Sequence, residues 1–262
     1  MQTSRHHFWP ALAVVAACLG APALHAQSRG EAKLITATAV MTELRDSRDQ
    51  QIPQWLLDRA YGIVVVPDVV KVGFWPGGRH GKGVMVVRND AGKFSEPVFV
   101  NLSGGSFGPQ IGAQSTDVVL VFTTRRGIDG IADGKVTLGA DASVAAGPVG
   151  RQATAATDAA FKAEVYSYSR SKGLFAGVAL DGSAITIDDK ANREFYGRKV
   201  GAGDILKGAV TTNSNAAQRF LAAIASSTVP VSTAAPASAG EPATTPAAPS
   251  AVKTYPLEEP AK

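Results

Sequence analysis

The sequence predicts an α+β fold in which an antiparallel β sheet, curled into a barrel or sandwich, carries flanking helices at both ends. Three observations support this. Between Phe161 and Ile187 the run FKAEVYSYSRSKGLFAGVALDGSAITI alternates apolar and polar residues with the period of half-buried strands. Ser171-Lys172-Gly173 and Asp181-Gly182 break it as tight turns, so it reads as a three-stranded meander. Gly is abundant, 27 residues concentrated in the middle of the chain, and aromatics are only 7%, which favours many short strands over a helical bundle. The turns between strands are too short for the crossovers of a parallel sheet.

The elements follow in order. Met1–Ala26 reads as an export signal, with Arg5 in a positive first region, an apolar run from Trp9 to Leu19, and small residues from Ala21 to Ala26. The apolar run is shorter than the roughly 20 residues that span a bilayer. Two processing routes stay open. Signal peptidase cuts after Ala26, or Val15-Ala16-Ala17-Cys18 serves as a lipobox and Cys18 becomes the acylated first residue of a lipoprotein. Both place the protein outside a bacterial cytoplasm, in the periplasm or on the outer membrane facing it.

Glu31–Arg48 reads as a helix whose stripe is Leu34, Thr38, Met41 and Leu44, and a shorter helix starts at Pro53. Ala60–Phe74 gives two strands separated by Pro67-Asp68; the continuous run Ile63–Val66 implies cover on both faces. Trp75–Gly83, WPGGRHGKG, reads as a loop. It is no phosphate loop, because Gly77 is one residue too close to Gly81-Lys82 and Gly83 stands where Ser or Thr is required. Strands follow at Val84–Val87 and Pro97–Leu102, and Val118–Phe122 is the most apolar and central one. Arg125–Lys135 reads as a charged turn; with Asp129 first, Ile131 and Ala140 occupy the third and twelfth places of an EF-hand and exclude it. Leu138 to Ala146 alternates small apolar residues, as for a strand packed on a helix. Asp189–Phe195 and Ser214–Ala225 read as helices, the latter capped by Ser214. The domain spans residues 27–226, and from Ser227 the Pro/Ala/Thr-rich composition predicts a disordered tail, residues 227–262.

Composition narrows function. The formal charge is +4 with basic and acidic residues interspersed, which is not the stripe of a nucleic-acid binder but suits weak attraction to an anionic membrane. One cysteine excludes an intrachain disulfide, and a processed chain keeps His80 alone, too few ligands for a zinc site. No cofactor, metal or catalytic activity is expected.

Three longer words, GGSFGPQIGAQSTD at Gly104–Asp117, SVAAGPVGR at Ser143–Arg151 and YSYSRSKGLFAG at Tyr166–Gly177, occur in an order that resembles the SYLF domain over roughly Leu34 to Phe220. The resemblance implies a lipid-binding module, with phosphoinositides the ligands in eukaryotic relatives and anionic phospholipid the partner here. It implies that the amphipathic segment ahead of the sheet meets the membrane. Leu34, Met41 and Leu44 with Trp75 would then supply apolar contact, and Lys33, Arg79, Lys82, Arg151, Arg170 and Lys172 would meet phosphates. Arg151, inside a shared word, is the leading single headgroup contact. Physics offers a second use of the stripe, packing of the helix on the sheet. A structural or protein-interaction module of the envelope is the other functional class, since some eukaryotic relatives bind actin.

Overall fold

Among the described residues nine strands follow in order: β1 (Gly62–Gly73), β2 (Gly77–Val87), β3 (Val98–Ser106), β4 (Gly112–Phe122), β5 (Lys135–Thr137), β6 (Val144–Ala146), β7 (Val165–Ser171), β8 (Leu174–Gly177) and β9 (Ser183–Ile187). They form one curled, open sheet in the order β5-β9-β3-β2-β1-β4-β7-β6, with β8 also paired to β7. The computed structural model describes residues 11–47, 51–73, 77–89, 91–106, 112–149, 163–171 and 174–228, which belong to one unit, Met1–Pro230. The expected α+β class holds, and the helices stand at both ends of the chain order. The sheet is mixed, however, because β6 runs parallel to β7.

Both faces of the sheet centre are apolar, so the chain needs a layer on each. Ile63 and Val65 of β1, Val84 and Val86 of β2, and Val119 and Val121 of β4 point to one face. Their neighbours Val64, Val66, Met85, Val118, Leu120 and Phe122 point to the other. The first face is covered by α1 (Ala11–Asp46), α2 (Gln54–Asp58) and the C-terminal α6 (Asn215–Thr228). The second is covered by α3 (Arg125–Ala132) and α5 (Ala202–Leu206) through Ile128, Ile131 and Ile205. Between them in sequence lies α4 (Asp189–Tyr196), whose fully buried Asn192 accepts from the Phe99 amide at 2.8 Å and donates to the Phe99 carbonyl at 3.2 Å. A buried amide satisfied on both sides costs little and fixes α4 against β3.

Several expectations are corrected. Pro67-Asp68 does not divide two strands. β1 continues through it as a bulge, with Asp68 in the left-handed region at φ 55 and its amide donating to Asp117 Oδ1 at 3.0 Å. Gly77–Gly83 is strand rather than loop, because Gly81 and Gly83 leave room for Val66 and Val69 of the bulged β1, where a Cβ would collide. Arg125–Ala132 is helical, held by Ile128 and Ile131 three residues apart. The stretch from Leu138 to Ala146 is not one strand: Leu138 to Ser143 turn between β5 and β6, and only Val144–Ala146 is strand. The meander also fails at its third strand. After Asp181-Gly182 the chain crosses to the far side of the sheet, where β9 pairs with β3 and β5.

Other expectations hold. The Ser214 cap is there, its hydroxyl accepting from the Ala217 amide at 3.5 Å, and the helix expected at Asp189–Phe195 is α4, which ends at Gly197 with φ 68. A second segment passes close to β8, since a Cβ on Gly177 would overlap the backbone of Gly147. Gly147 in turn lies against the buried Tyr168 ring, whose hydroxyl donates to the Pro148 carbonyl at 3.2 Å. Of the tail expected over residues 227–262, Ser227 and Thr228 end α6 and the rest lies outside the described residues.

Candidate functional site

The register brings the closing ends of the β1–β2 and β7–β8 hairpins, the end of β3 and the start of β4 to one end of the sheet. Gly77 pairs with Ser106, Gly73 with Gly112, and Ser171 with Leu174. Beyond the bulge, β1 no longer has a helix over it. Val70 and Val72 are 45% and 52% exposed, and Leu174 at the start of β8 is 64% exposed. Among the described residues these are three of the four exposed large apolar side chains; the fourth is Ile35, on α1.

Alternation along β1 turns Lys71 to the face opposite Val70 and Val72. There it stands directly across from Arg79 of β2 and Gln114 of β4. A cavity of about 240 Å³ opens among these residues, with Thr116, Ser169 and Ser171 on its wall and Val69, Val118 and Leu180 as an apolar floor. Arg79 Nε is buried without a hydrogen-bond partner, and burial pushes the guanidinium pKa below its ordinary value.

The other cationic candidates fall into three groups. Arg170 is committed to structure: its Nε donates to Asp117 Oδ2 at 2.6 Å, its Nη1 meets Glu43 of α1, and its guanidinium lies over the Phe175 ring at 5.8 Å. Lys33 and Lys82 meet at a separate cleft of about 280 Å³ on the α1 face, with Arg29 and Lys190. Lys82 there donates to Asp188 Oδ2 at 2.7 Å. Trp75, Arg151 and Lys172 lie outside the described residues, as does the side chain of Cys18, whose backbone is part of α1.

The apolar stripe is a correction. Leu34 and Met41 are fully buried and Leu44 is buried beside them, packed with Ile63, Val65 and Phe220 in the core under α1. In this conformation they hold the helix on the sheet and offer nothing to a bilayer. Sequence reasoning missed Lys71, Gln114, Thr116, Ser169 and Ser171. The available signal was Val70-Lys71-Val72 itself, a strand-like alternation beyond a Pro-Asp break.

The run Gly104-Gly105-Ser106-Phe107-Gly108 has the Gly-x-Ser-x-Gly spacing of a nucleophile elbow. The context differs, because Ser106 ends a strand whose successor is the antiparallel neighbour-but-two β4, not a helix. Among the described residues no cluster of His, Cys, Asp and Glu could hold a metal, and no helix is long and apolar enough to cross a membrane.

Fold and site together define a module in which a helix-covered sheet centre carries an uncovered hairpin end with a cationic cavity. The family model described as "Las17-binding protein actin regulator", Ysc84, matches residues 103–227. LAS seventeen-binding protein 3 of Saccharomyces cerevisiae is 39% identical over 190 residues, covering 71% of this chain and 41% of the relative. Protein YSC84 of the same yeast is 41% identical over 165 residues, covering 62% and 35%. The human SH3 domain-containing YSC84-like protein 1 is 34% identical over 186 residues, covering 71% and 54%. The chain belongs to the SYLF, or Ysc84, domain family. It spans about half the length or less of these curated relatives.

Proposed function

We propose that this chain is a non-enzymatic module that docks on anionic phospholipid surfaces through the hairpin end of its sheet. The observation that carries the reading is that one uncovered end of the sheet exposes Val70, Val72 and Leu174 and carries, on the face opposite the two valines, the cations Lys71 and Arg79. Full burial of one such apolar side chain stabilises by about 1.5–3 kcal/mol, and each cation near an anionic leaflet adds about 1 kcal/mol. The export signal at Met1–Ala26 puts the membrane in a bacterial cell envelope, with Cys18 acylated or removed.

The test is co-sedimentation with vesicles of phosphatidylcholine alone and with a third of phosphatidylglycerol. The expected result is pelleting with the anionic vesicles, lost in V70E/V72E. Equal pelleting of both proteins, or none with either vesicle, overturns the proposal. A protein-interaction role draws on the family description, "Las17-binding protein actin regulator", and on the name of LAS seventeen-binding protein 3. It needs an apolar patch away from the cations, and among the described residues Ile35 alone is a large exposed apolar side chain outside the hairpin end.

A further inference from the structure

We propose that the cleft between α1 and α4 is a binding site for a carboxylate carried on an apolar body, the chemistry of a small organic acid or of the C-terminal end of a peptide. The cleft stands apart from the hairpin end: along β2, Lys82 lies five residues from Gly77, roughly 17 Å. Membrane docking at that end leaves the cleft free. Four cations and two carboxylates line it, Arg29, Lys33, Lys82 and Lys190 against Asp188 and Glu194. Each carboxylate already has a lysine of its own. Lys82 donates to Asp188 Oδ2 at 2.7 Å, and Lys190 faces Glu194 at 3.9 Å. Asp188 is further committed to α4, whose Ala191 amide donates to it at 3.0 Å. Arg29 and Lys33 remain. Neither makes an ion pair among the described residues, and Asp117, which the charge of Lys33 also reaches, is taken by Arg170. The two cations are four residues apart on α1, on the same side of the helix, where like charges repel. A carboxylate between them removes that repulsion and accepts charge-assisted hydrogen bonds from both.

The remaining lining selects among anions. Phe99, Val100 and Ala191, with Gly30 and Gly83, make an apolar floor, and the alkyl stems of arginine and lysine continue such a surface. Asp188 and Glu194 in the same lining oppose a doubly charged phosphate more than a singly charged carboxylate. The volume of about 280 Å³ lies at the small end of ligand cavities, roughly 300–1,000 Å³. It suits one apolar side chain with its carboxylate rather than a folded partner.

The test uses the full chain and three soluble probes: N-acetyl-leucine, its uncharged amide N-acetyl-leucinamide, and sodium phosphate. Amide NMR shifts are followed together with the thermal midpoint. N-acetyl-leucine is expected to shift the amides of Gly30, Gly83 and Ala191, to leave those of Val70 and Val72 in place, and to raise the midpoint. The uncharged amide and phosphate are each expected to bind at least tenfold more weakly. R29Q/K33Q is expected to weaken N-acetyl-leucine binding at least tenfold while melting no lower than wild type without ligand, since it removes the repulsion. V70E/V72E separates the cleft from the membrane reading: it is expected to lose vesicle pelleting yet keep the N-acetyl-leucine response. No response to N-acetyl-leucine, unchanged binding in R29Q/K33Q, or equal binding of the uncharged amide or of phosphate overturns the site. In a second arm an acetylated tripeptide ending in leucine with a free carboxylate is compared with N-acetyl-leucine. Several-fold tighter binding assigns the site to a polypeptide end; equal or weaker binding assigns it to a free small acid and refutes the peptide source alone.

Discussion

The two halves of strand β1 behave as different materials. From Gly62 to Val66 every residue is buried, with helices over both faces. From Val70 to Val72 the same strand keeps its ladder to β2 and β4 but has exposed valines on one side and a lone lysine on the other. The boundary is the bulge, where the left-handed Asp68 is held by Asp117, itself paired with Arg170. The difference shows how one sheet serves two ends: the covered half supplies stability, and the uncovered half is rigid because the covered half holds it. Binding residues on such a strand need no stabilising contacts of their own.

The contrast breaks most sharply in the covered half. G147A drives a Cβ into the Tyr168 ring, and G177A into the backbone of Gly147. Overpacking there is expected to destabilise by about 3 kcal/mol or more, read by urea denaturation; wild-type stability in G147A would show that the two segments are not packed as described. Met41→Ala follows, at about 2–5 kcal/mol for a fully buried side chain. A variant that instead kept its stability and lost vesicle binding would return the α1 stripe to the membrane.

Asp117→Ala probes the boundary. It strips the Asp68 amide and Arg170 of an acceptor and is expected to cost about 1–3 kcal/mol, with hydrogen exchange faster around the bulge than in Ile63–Val66. A uniform change across β1 would erase the distinction between its halves. The smallest effect is expected for Lys82 and Asp188. Burial opposes ionisation of Asp188, but the Lys82 ammonium and the Ala191 amide outweigh it and hold the carboxyl below its ordinary value. A depressed folded value means that the contribution is complete above the unfolded pKa, about 3.9. It is lost as pH falls through the lower folded value. Lys82 is largely exposed, so D188N should cost at most about 1 kcal/mol at neutral pH and flatten the acid limb of the stability profile.

Much of the covered half was legible in the sequence. Ile63–Val66 announces two-sided burial by its unbroken β-branched run, and Gly197 and Ser214 mark helix ends through backbone rules that act locally. What failed depends on distant partners. Gly81 and Gly83 look like loop residues until the bulged β1 lies over them, and Arg125–Ala132 looks like a turn until Ile128 and Ile131 find the sheet. For the site, Arg79 was visible as a cation in a Gly-rich run. Its partner Lys71 was not, because their pairing is set by a register shift between Val65 and Val70 that no spacing encodes. The long words shared with the family, by contrast, owe part of their form to packing, since Gly147, Tyr168 and Gly177 interlock.

The clasp of α1 on the body begins at Gly30, whose Cα sits against the Phe195 ring, and deepens at Leu34. Under the proposed cut after Ala26, maturation would therefore spare every residue of that clasp. Under the proposed acylation, the twelve steps from Cys18 to Gly30 would form a leash of about 18 Å if kept helical, which would set how far the clasp stands from the lipid that anchors it.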